Sequence, residues 1–250
     1  MKTHVASNIS SYNQIIPAEH LKTQTYLHHI SEWTKNQKME LNCDKTKSII
    51  FNFTRNYQFS TQLSIENDQI EVISETKLLG TIINNTLSWD SNTDYLVKKA
   101  FSRMQLLYKM SEFHASIEDM KTIYIIFIRS LIEQSCPVWH SSLTKENSEA
   151  IERVQKCAVR CILQGRYQSY RQALEFLQIP TCKDRRIALN LSFARKCLDN
   201  PKMKHLFPTN ESSCMLTRNR EKYKVFQANT ERLASSSILY MQSLLNRAEK

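Results

Sequence analysis

The stretch Ser148-Glu-Ala-Ile-Glu-Arg-Val-Gln-Lys-Cys-Ala-Val-Arg-Cys-Ile-Leu163 decides the fold class of this 250-residue chain. Its apolar residues return every three or four positions, which is the spacing of one face of an α-helix. That face carries Ile151, Val154, Ala158 and Cys161–Ile162. The stretch therefore predicts an amphipathic helix that packs its apolar face against other helices.

Helical spacing continues on both sides of this segment. One apolar stripe follows Asn92, and a second runs from Met120 to Ile132. The segment Asn200–Arg220 contains two prolines and many polar residues, and it is predicted to be a loop. Further helices are predicted over Tyr170–Leu177, Asp184–Leu198 and Ala234–Ala248.

The first third of the chain shows a different pattern. A helix is predicted over Glu19–Gln37, with Trp33 on its apolar stripe and therefore in the core. Runs of β-branched and aromatic residues then predict four strands. These strands are Ser48–Phe53, Gln62–Ile65, Ile70–Ile73 and Lys77–Ile83. Gly80 falls inside the last strand, which indicates a bulge or a close backbone approach.

These patterns predict an α+β fold with four regions. Residues 1–17 form a polar lead, and residues 18–90 combine a helix with a small β-sheet. Residues 91–200 form an all-helical basic region, and residues 201–250 add a loop and a C-terminal helix.

The net charge of +10 is confined to the second part of the chain. Residues 1–90 carry eight Lys and Arg against nine Asp and Glu, whereas residues 91–250 carry 26 against 15. A basic region beside a neutral one is typical of proteins that bind a polyanion such as nucleic acid. A solvated basic surface is the alternative. Neither GxGxxG nor GxxxxGK[ST] occurs, which argues against glycine-rich loops that hold nucleotide phosphates.

The cysteines and the apolar runs bear on location and metal binding. Seven scattered cysteines, no signal-peptide pattern and no membrane-length apolar run favour an intracellular protein, in the nucleus or cytoplasm, without a membrane partner. Cys157 and Cys161 lie one helical turn apart, but no second ligand pair follows at metal-binding spacing. We therefore expect no metal site.

Five blocks with a recognisable order run along the chain. The first is Ile30-Ser-Glu-Trp33 with Met39-Glu-Leu-Asn-Cys-Asp-Lys-Thr-Lys-Ser-Ile-Ile-Phe51, and the second is Lys77-Leu-Leu-Gly-Thr-Ile-Ile83 with Leu87-Ser-Trp89. The third is Arg129-Ser-Leu-Ile-Glu-Gln-Ser-Cys-Pro-Val-Trp-His140, the fourth is Ile151-Glu-Arg-Val-Gln-Lys-Cys-Ala158, and the fifth is Asp184-Arg-Arg186 with Phe193-Ala194. Together they resemble the C-terminal part of non-LTR (LINE- or jockey-like) retrotransposon reverse transcriptases.

The resemblance implies a partial palm-type β-sheet over 18–90, with a primer-grip-like hairpin, followed by a thumb-like helical region. The intact family enzyme is an RNA-directed DNA polymerase whose partners are RNA and RNA–DNA duplexes. Its active-site aspartates, which include an adjacent pair, hold two Mg²⁺ ions. This sequence contains no Asp-Asp. We therefore expect a fragment that lacks the upstream polymerase portion, has no cofactor of its own and does not polymerise alone.

Charge and resemblance together give a set of candidate nucleic-acid-binding residues. Lys45 matches a motif lysine of the family, and the resemblance implies that this lysine protonates the leaving pyrophosphate. Gly80 matches the glycine of the primer-grip motif. The full set is Lys45, Lys47, Lys77, Gly80, Lys98, Lys99, Arg103, Arg153, Lys156 and Arg160. No residue is assigned a catalytic role in the isolated chain.

Two other interpretations of the sequence stay open. The chain is either a standalone basic helical module that binds RNA or a protein without catalysis, or a translation product without function. Under these interpretations Lys45 is a surface lysine and the basic faces are merely solvated.

Overall fold

A computed structural model describes residues 22–53, 62–210 and 222–248 of the chain. These residues are mostly helical, with three two-stranded sheets, so the predicted mixture of helices and small sheets is confirmed. The chain divides into two compact units. The first comprises Met1–Leu78 with Ile83–Leu87, and the second comprises Leu79–Ile82 with Ser88–Lys250. The predicted polar lead and the start of the Glu19 helix lie outside the described residues.

The first unit contains one helix and very short strands. Helix α1 covers the described residues 22–36. The strands are β1 (Lys47–Ser48), β2 (Ser64–Ile65), β3 (Asp68–Gln69) and β4 (Glu71–Val72). Strand β1 pairs with β4 in parallel, and β2 pairs with β3 antiparallel. The strands predicted over Gln62–Ile65 and Ile70–Ile73 are therefore found in part.

The predicted strand Ser48–Phe53 is wrong beyond Ser48. Residues 49–53 have no regular structure, because the partner strand β4 offers only two residues to pair with. A β-branched run favours strand geometry, but a strand exists only where another strand supplies hydrogen-bond partners.

The prediction that Trp33 lies in the core is also wrong. Trp33 is 58% exposed and Ile30, on the same stripe, is 48% exposed. The buried residues of this helix are instead Ser31 and Thr34. Helical periodicity shows which side chains share a face, but it does not show which face another element covers.

The segment Lys77–Ile83 is part of a hairpin and not the single strand that its β-branched residues predicted. Strands β5 (Glu75–Leu78) and β6 (Thr81–Asn84) pair, and Leu79 and Gly80 form the turn between them. Both turn residues have positive φ, +48° at Leu79 and +84° at Gly80, as a two-residue type I′ turn requires. A Cβ at Gly80 would lie 2.2 Å from Gln134 Nε2, so this flexible side chain would have to move, and the positive φ of Gly80 further disfavours other residues.

The second unit is helical. Its elements are α2 (Asp90–Glu112), α3 (Ile117–Ile123), a π-helical turn (Tyr124–Arg129), α4 (Ser130–Ile132), α5 (Cys136–Trp139), α6 (Lys145–Leu163), α7 (Tyr170–Leu177), α8 (Cys182–Asp199), α9 (Glu231–Ala234) and α10 (Ser237–Ala248). Three of these helices begin after Thr144, Ser169 and Thr181, whose side chains each accept a hydrogen bond from the backbone N–H three residues on. Such N-caps fix where a helix begins.

The core of this unit forms between α2 and α6, which pack against each other. The stripes predicted on α2 and α6 are buried, including Leu96, Met104, Ile151 and Val154, except that Cys161 is half-buried. A second cluster lies where α10 packs against α8. Its buried members are Ala194, Cys197, Phe207, Tyr223, Met241 and Leu245.

A buried carboxamide lies at the centre of the helical unit. Gln155 of α6 is 0% exposed. Its Nε2 donates to Tyr170 OH at 3.0 Å and to Pro180 O at 2.8 Å, and its Oε1 accepts from Tyr124 OH at 2.5 Å and from Cys182 Sγ at 3.2 Å. Both donors and both lone pairs are thus used, which is the full capacity of a glutamine side chain.

Replacing Gln155 with leucine removes all four hydrogen bonds while keeping a side chain of similar volume. The free energy of unfolding is expected to fall by about 3 kcal/mol, because Tyr124 OH and Pro180 O are left without these hydrogen bonds in the interior. Urea denaturation followed by circular dichroism measures this change. The control is Gln105→Leu at an exposed position of α2, which should change stability by no more than about 0.5 kcal/mol. Equal effects of the two substitutions on the free energy of unfolding would show that the hydrogen bonds of Gln155 do not stabilise the helical unit.

Candidate nucleic-acid interface

Three predicted basic residues lie on the side of α6 away from its buried stripe. Arg153 and Arg160 are exposed, and Lys156 is half-buried. The Lys156 ammonium lies 5.4 Å from the centre of the Tyr170 ring, and the Arg160 guanidinium lies 5.2 Å from that of Tyr167. Cations over aromatic faces keep their charge while losing some freedom of motion. The three residues therefore form a basic strip along α6.

The three candidate basic residues of α2 do not share the same surroundings. Lys98 and Lys99 are exposed, and the Lys99 ammonium lies 5.1 Å from the centre of the Tyr95 ring. Arg103 instead donates from Nη1 to Phe127 O at 2.5 Å, and its guanidinium lies 4.4 Å from the centre of the Phe127 ring. Because Phe127 belongs to the π-helical turn, Arg103 also serves to hold that turn in place.

The remaining candidates are divided between the two units. Lys45, Lys47 and Lys77 belong to the first unit, whereas Gly80 and the six basic residues of α2 and α6 belong to the second. Lys45 is exposed in a 3₁₀ turn, and Lys47 Nζ pairs with Glu71 Oε2 at 2.5 Å. Lys77 is exposed on β5. The structure thus groups six of the candidates on two packed helices and leaves three in a separate unit.

Residues of the third and fifth sequence blocks meet inside the helical unit. Glu133 accepts from Arg185 Nε at 3.0 Å and lies 3.2 Å from Arg129 Nε. Trp139 is fully buried, and its Nε1 donates to Gln134 O at 2.9 Å. Trp139 is therefore part of the core of the helical unit, and Glu133 joins the third block to α8.

Arg186, from the fifth block, is a buried cation that sequence reasoning missed. Its side chain is 1% exposed. The Nε donates to His140 Nδ1 at 3.2 Å and the Nη2 donates to Ser148 Oγ at 2.8 Å, while in the described residues Nη1 has no hydrogen-bond partner. The sequence signal that could have indicated its burial is its position on α8 among residues that recur with helical spacing.

His140 is held neutral by this arrangement. Burial and the positive charge of Arg186 lower the pKa of His140 to about 4. Because Nδ1 accepts from Arg186, the ring proton resides on Nε2, which lies 3.2 Å from Tyr240 OH. Protonating Nδ1 would break the hydrogen bond to Arg186 and place two cations side by side.

The described residues contain neither a cluster of metal ligands nor a helix of membrane-spanning character. Among residues 22–53, 62–210 and 222–248, no three His, Cys, Asp or Glu side chains come together in a way that could hold a metal ion. In the same part of the chain, no helix combines the length and the apolar character needed to cross a membrane.

Comparison of the chain with protein-family models, with curated proteins and with solved structures finds no match.

The His140 site makes stability depend on pH. Its pKa is lower in the folded chain than in the unfolded chain, so the unfolded chain binds the extra proton more readily. Stability from this group is therefore complete above about pH 6.5 and is lost as the pH falls towards about 4. His140→Asn keeps an acceptor near Arg186 and removes the titration, so it should flatten the curve of unfolding free energy between these values.

The matched control is His205→Asn, since His205 is exposed and should leave the pH curve unchanged. The same loss of stability in His140→Asn as in the unaltered chain would show that other groups cause the pH dependence.

Proposed function

We propose that the helical unit binds the sugar–phosphate backbone of an RNA–DNA duplex, as the thumb-like part of a fragment of a non-LTR retrotransposon reverse transcriptase. The observation that carries this proposal is the basic strip on α6, Arg153, Lys156 and Arg160, on the side of the helix away from its buried apolar residues. The chain itself binds the template–primer and performs no polymerisation, because it contains no Asp-Asp pair.

The spacing of the strip supports contact with successive phosphates. Arg153 and Arg160 are separated by about 10 Å along the helix axis, at about 1.5 Å per residue. Phosphates of one strand advance by about 3.4 Å along the duplex, so this length covers about three of them. Such contacts position a duplex without reading its sequence.

The charge distribution supports the same partner. The excess of positive charge lies entirely in residues 91–250. This range contains helices α3 to α10 of the helical unit and nearly all of α2. A basic surface of this kind attracts a polyanion and raises its association rate. The resemblance of the five sequence blocks to reverse transcriptases supports a nucleic-acid duplex as this polyanion.

A standalone module that binds RNA or a protein without catalysis is the second candidate. The observation that favours it is that residues 88–250 are grouped in one compact unit with its own buried core. The genomic nucleotides that precede the first codon discriminate between the two candidates. A [YF]xDD motif encoded there, in frame or across one stop codon, supports the polymerase fragment, and a promoter with transcripts that start at Met1 supports the module.

Removing the basic strip tests backbone binding directly. The variant Arg153→Ala, Lys156→Ala and Arg160→Ala should bind an RNA–DNA duplex more weakly, whatever the sequence of the duplex. Each lost phosphate contact lowers the slope of log K against log salt by about 0.9, so the slope should fall by up to about three. Fluorescence anisotropy of a labelled duplex, from about 0.05 to about 0.5 M KCl, measures both quantities.

The control carries Lys196→Ala, Lys202→Ala and Lys204→Ala, which removes the same charge from other exposed positions. If the strip is specific, this control keeps most of the slope. Binding that ignores salt, or an unchanged slope in the strip variant, would refute the proposal.

A further inference from the structure

A shallow cavity, open to solvent, lies beside the basic strip, among α6, α7 and α8. Its lining includes three lysines, Lys145, Lys156 and Lys183, together with Ser148, Glu149 and Glu152. Within the described residues, no carboxylate oxygen lies within 4 Å of any of the three ammonium groups. The cavity therefore gathers positive charge that the protein does not pair.

One of the two carboxylates that line the cavity already accepts hydrogen bonds from groups of the protein. Glu152 accepts a hydrogen bond from Tyr170 OH, and its Oε1 accepts from the Cys182 backbone N–H at 3.2 Å. Because Cys182 is the first residue of α8, this carboxylate interacts with the positive end of the helix dipole. The lining therefore holds three lysines against two carboxylates, and the hydrogen-bonding capacity of Glu152 is already partly used within the protein.

The wall of the cavity contains a hydroxyl with a defined orientation. Ser148 Oγ accepts from Nη2 of the buried Arg186 at 2.8 Å. An oxygen that accepts from a guanidinium turns its own hydrogen away from that cation, so the Ser148 O–H is available to donate. A serine polarised by a charged donor makes a stronger donor itself.

The positive charge of the buried Arg186 guanidinium also favours an anion nearby. In the described part of the chain no carboxylate pairs with it, and its Nη1 has no hydrogen-bond partner. A buried cation without a counter-charge is costly, and an anion placed nearby offsets that cost.

We propose that this cavity binds a phosphate group through Lys145, Lys183 and the Ser148 hydroxyl, and that in the duplex complex it takes a backbone phosphate next to those held by the α6 strip. The inference rests on the proposed function for the identity of its ligand, because Lys156 lines the cavity and also belongs to the strip. A tetrahedral dianion or a phosphodiester suits lysine ammonium groups and a hydroxyl donor, whereas a neutral ligand would leave the lysines unpaired.

The test replaces Lys145 and Lys183 by glutamine in the full chain. Both side chains are exposed, so the fold should persist, and an unchanged urea midpoint checks this. Affinity for the RNA–DNA duplex should fall about tenfold at moderate salt, and the slope of log K against log salt should fall by up to about two. The matched control Lys202→Gln with Lys204→Gln should change affinity by less than about twofold.

Inorganic phosphate supplies an independent probe. Exchanged for chloride at constant ionic strength, it should weaken duplex binding by the unaltered chain and not by the Lys145→Gln, Lys183→Gln variant. If that variant matches the control, or if phosphate competes equally with both proteins, the cavity proposal is overturned while salt-dependent duplex binding still stands. If the unaltered chain binds the duplex without salt dependence, the proposed function fails as well.

Discussion

The hydrogen bonds of the Gln155 carboxamide are the constraint on which the helical unit depends. They join α6 to the π-helical turn through Tyr124, to α7 through Tyr170, and to the start of α8 through Pro180 and Cys182. A fully satisfied polar group in a core fixes one arrangement of its neighbours, because any rotation of the helix would leave buried partners unpaired. With Gln155 turned inward, the basic strip on α6 has to face outward.

This constraint changes how the sequence blocks are understood. Glu133, Trp139, Gln155 and Arg186 come from the third, fourth and fifth blocks, and all of them are contacts within the protein. The blocks therefore describe the shape of the helical unit. Its proposed chemistry depends on less distinctive residues, exposed lysines and arginines whose role follows only from the face on which the core places them.

The sequence predicted the helical unit well because helix formation and burial share a short period. The stripes on α2 and α6 are buried, and α7 spans the predicted Tyr170–Leu177. The first unit was harder, because strands need partners distant in sequence. The strand predicted over Ser48–Phe53 ends at Ser48. The local pattern predicted one continuous strand where Leu79 and Gly80 form a turn, because leucine rarely adopts positive φ. The partners of Gln155 and Arg186 are 15 to 46 residues away, so no local pattern could reveal them.

The proposed duplex-binding surface consists of the basic strip on α6 together with the exposed lysines of α2, the helix that packs against α6. Lysine footprinting by amine-reactive labelling and mass spectrometry, with and without an RNA–DNA duplex, tests it most directly. The duplex should reduce labelling of Lys98, Lys99 and Lys156 and leave Lys202 and Lys204, exposed beyond α8, unchanged. Uniform protection of all five lysines, or protection of Lys202 and Lys204 alone, would contradict it.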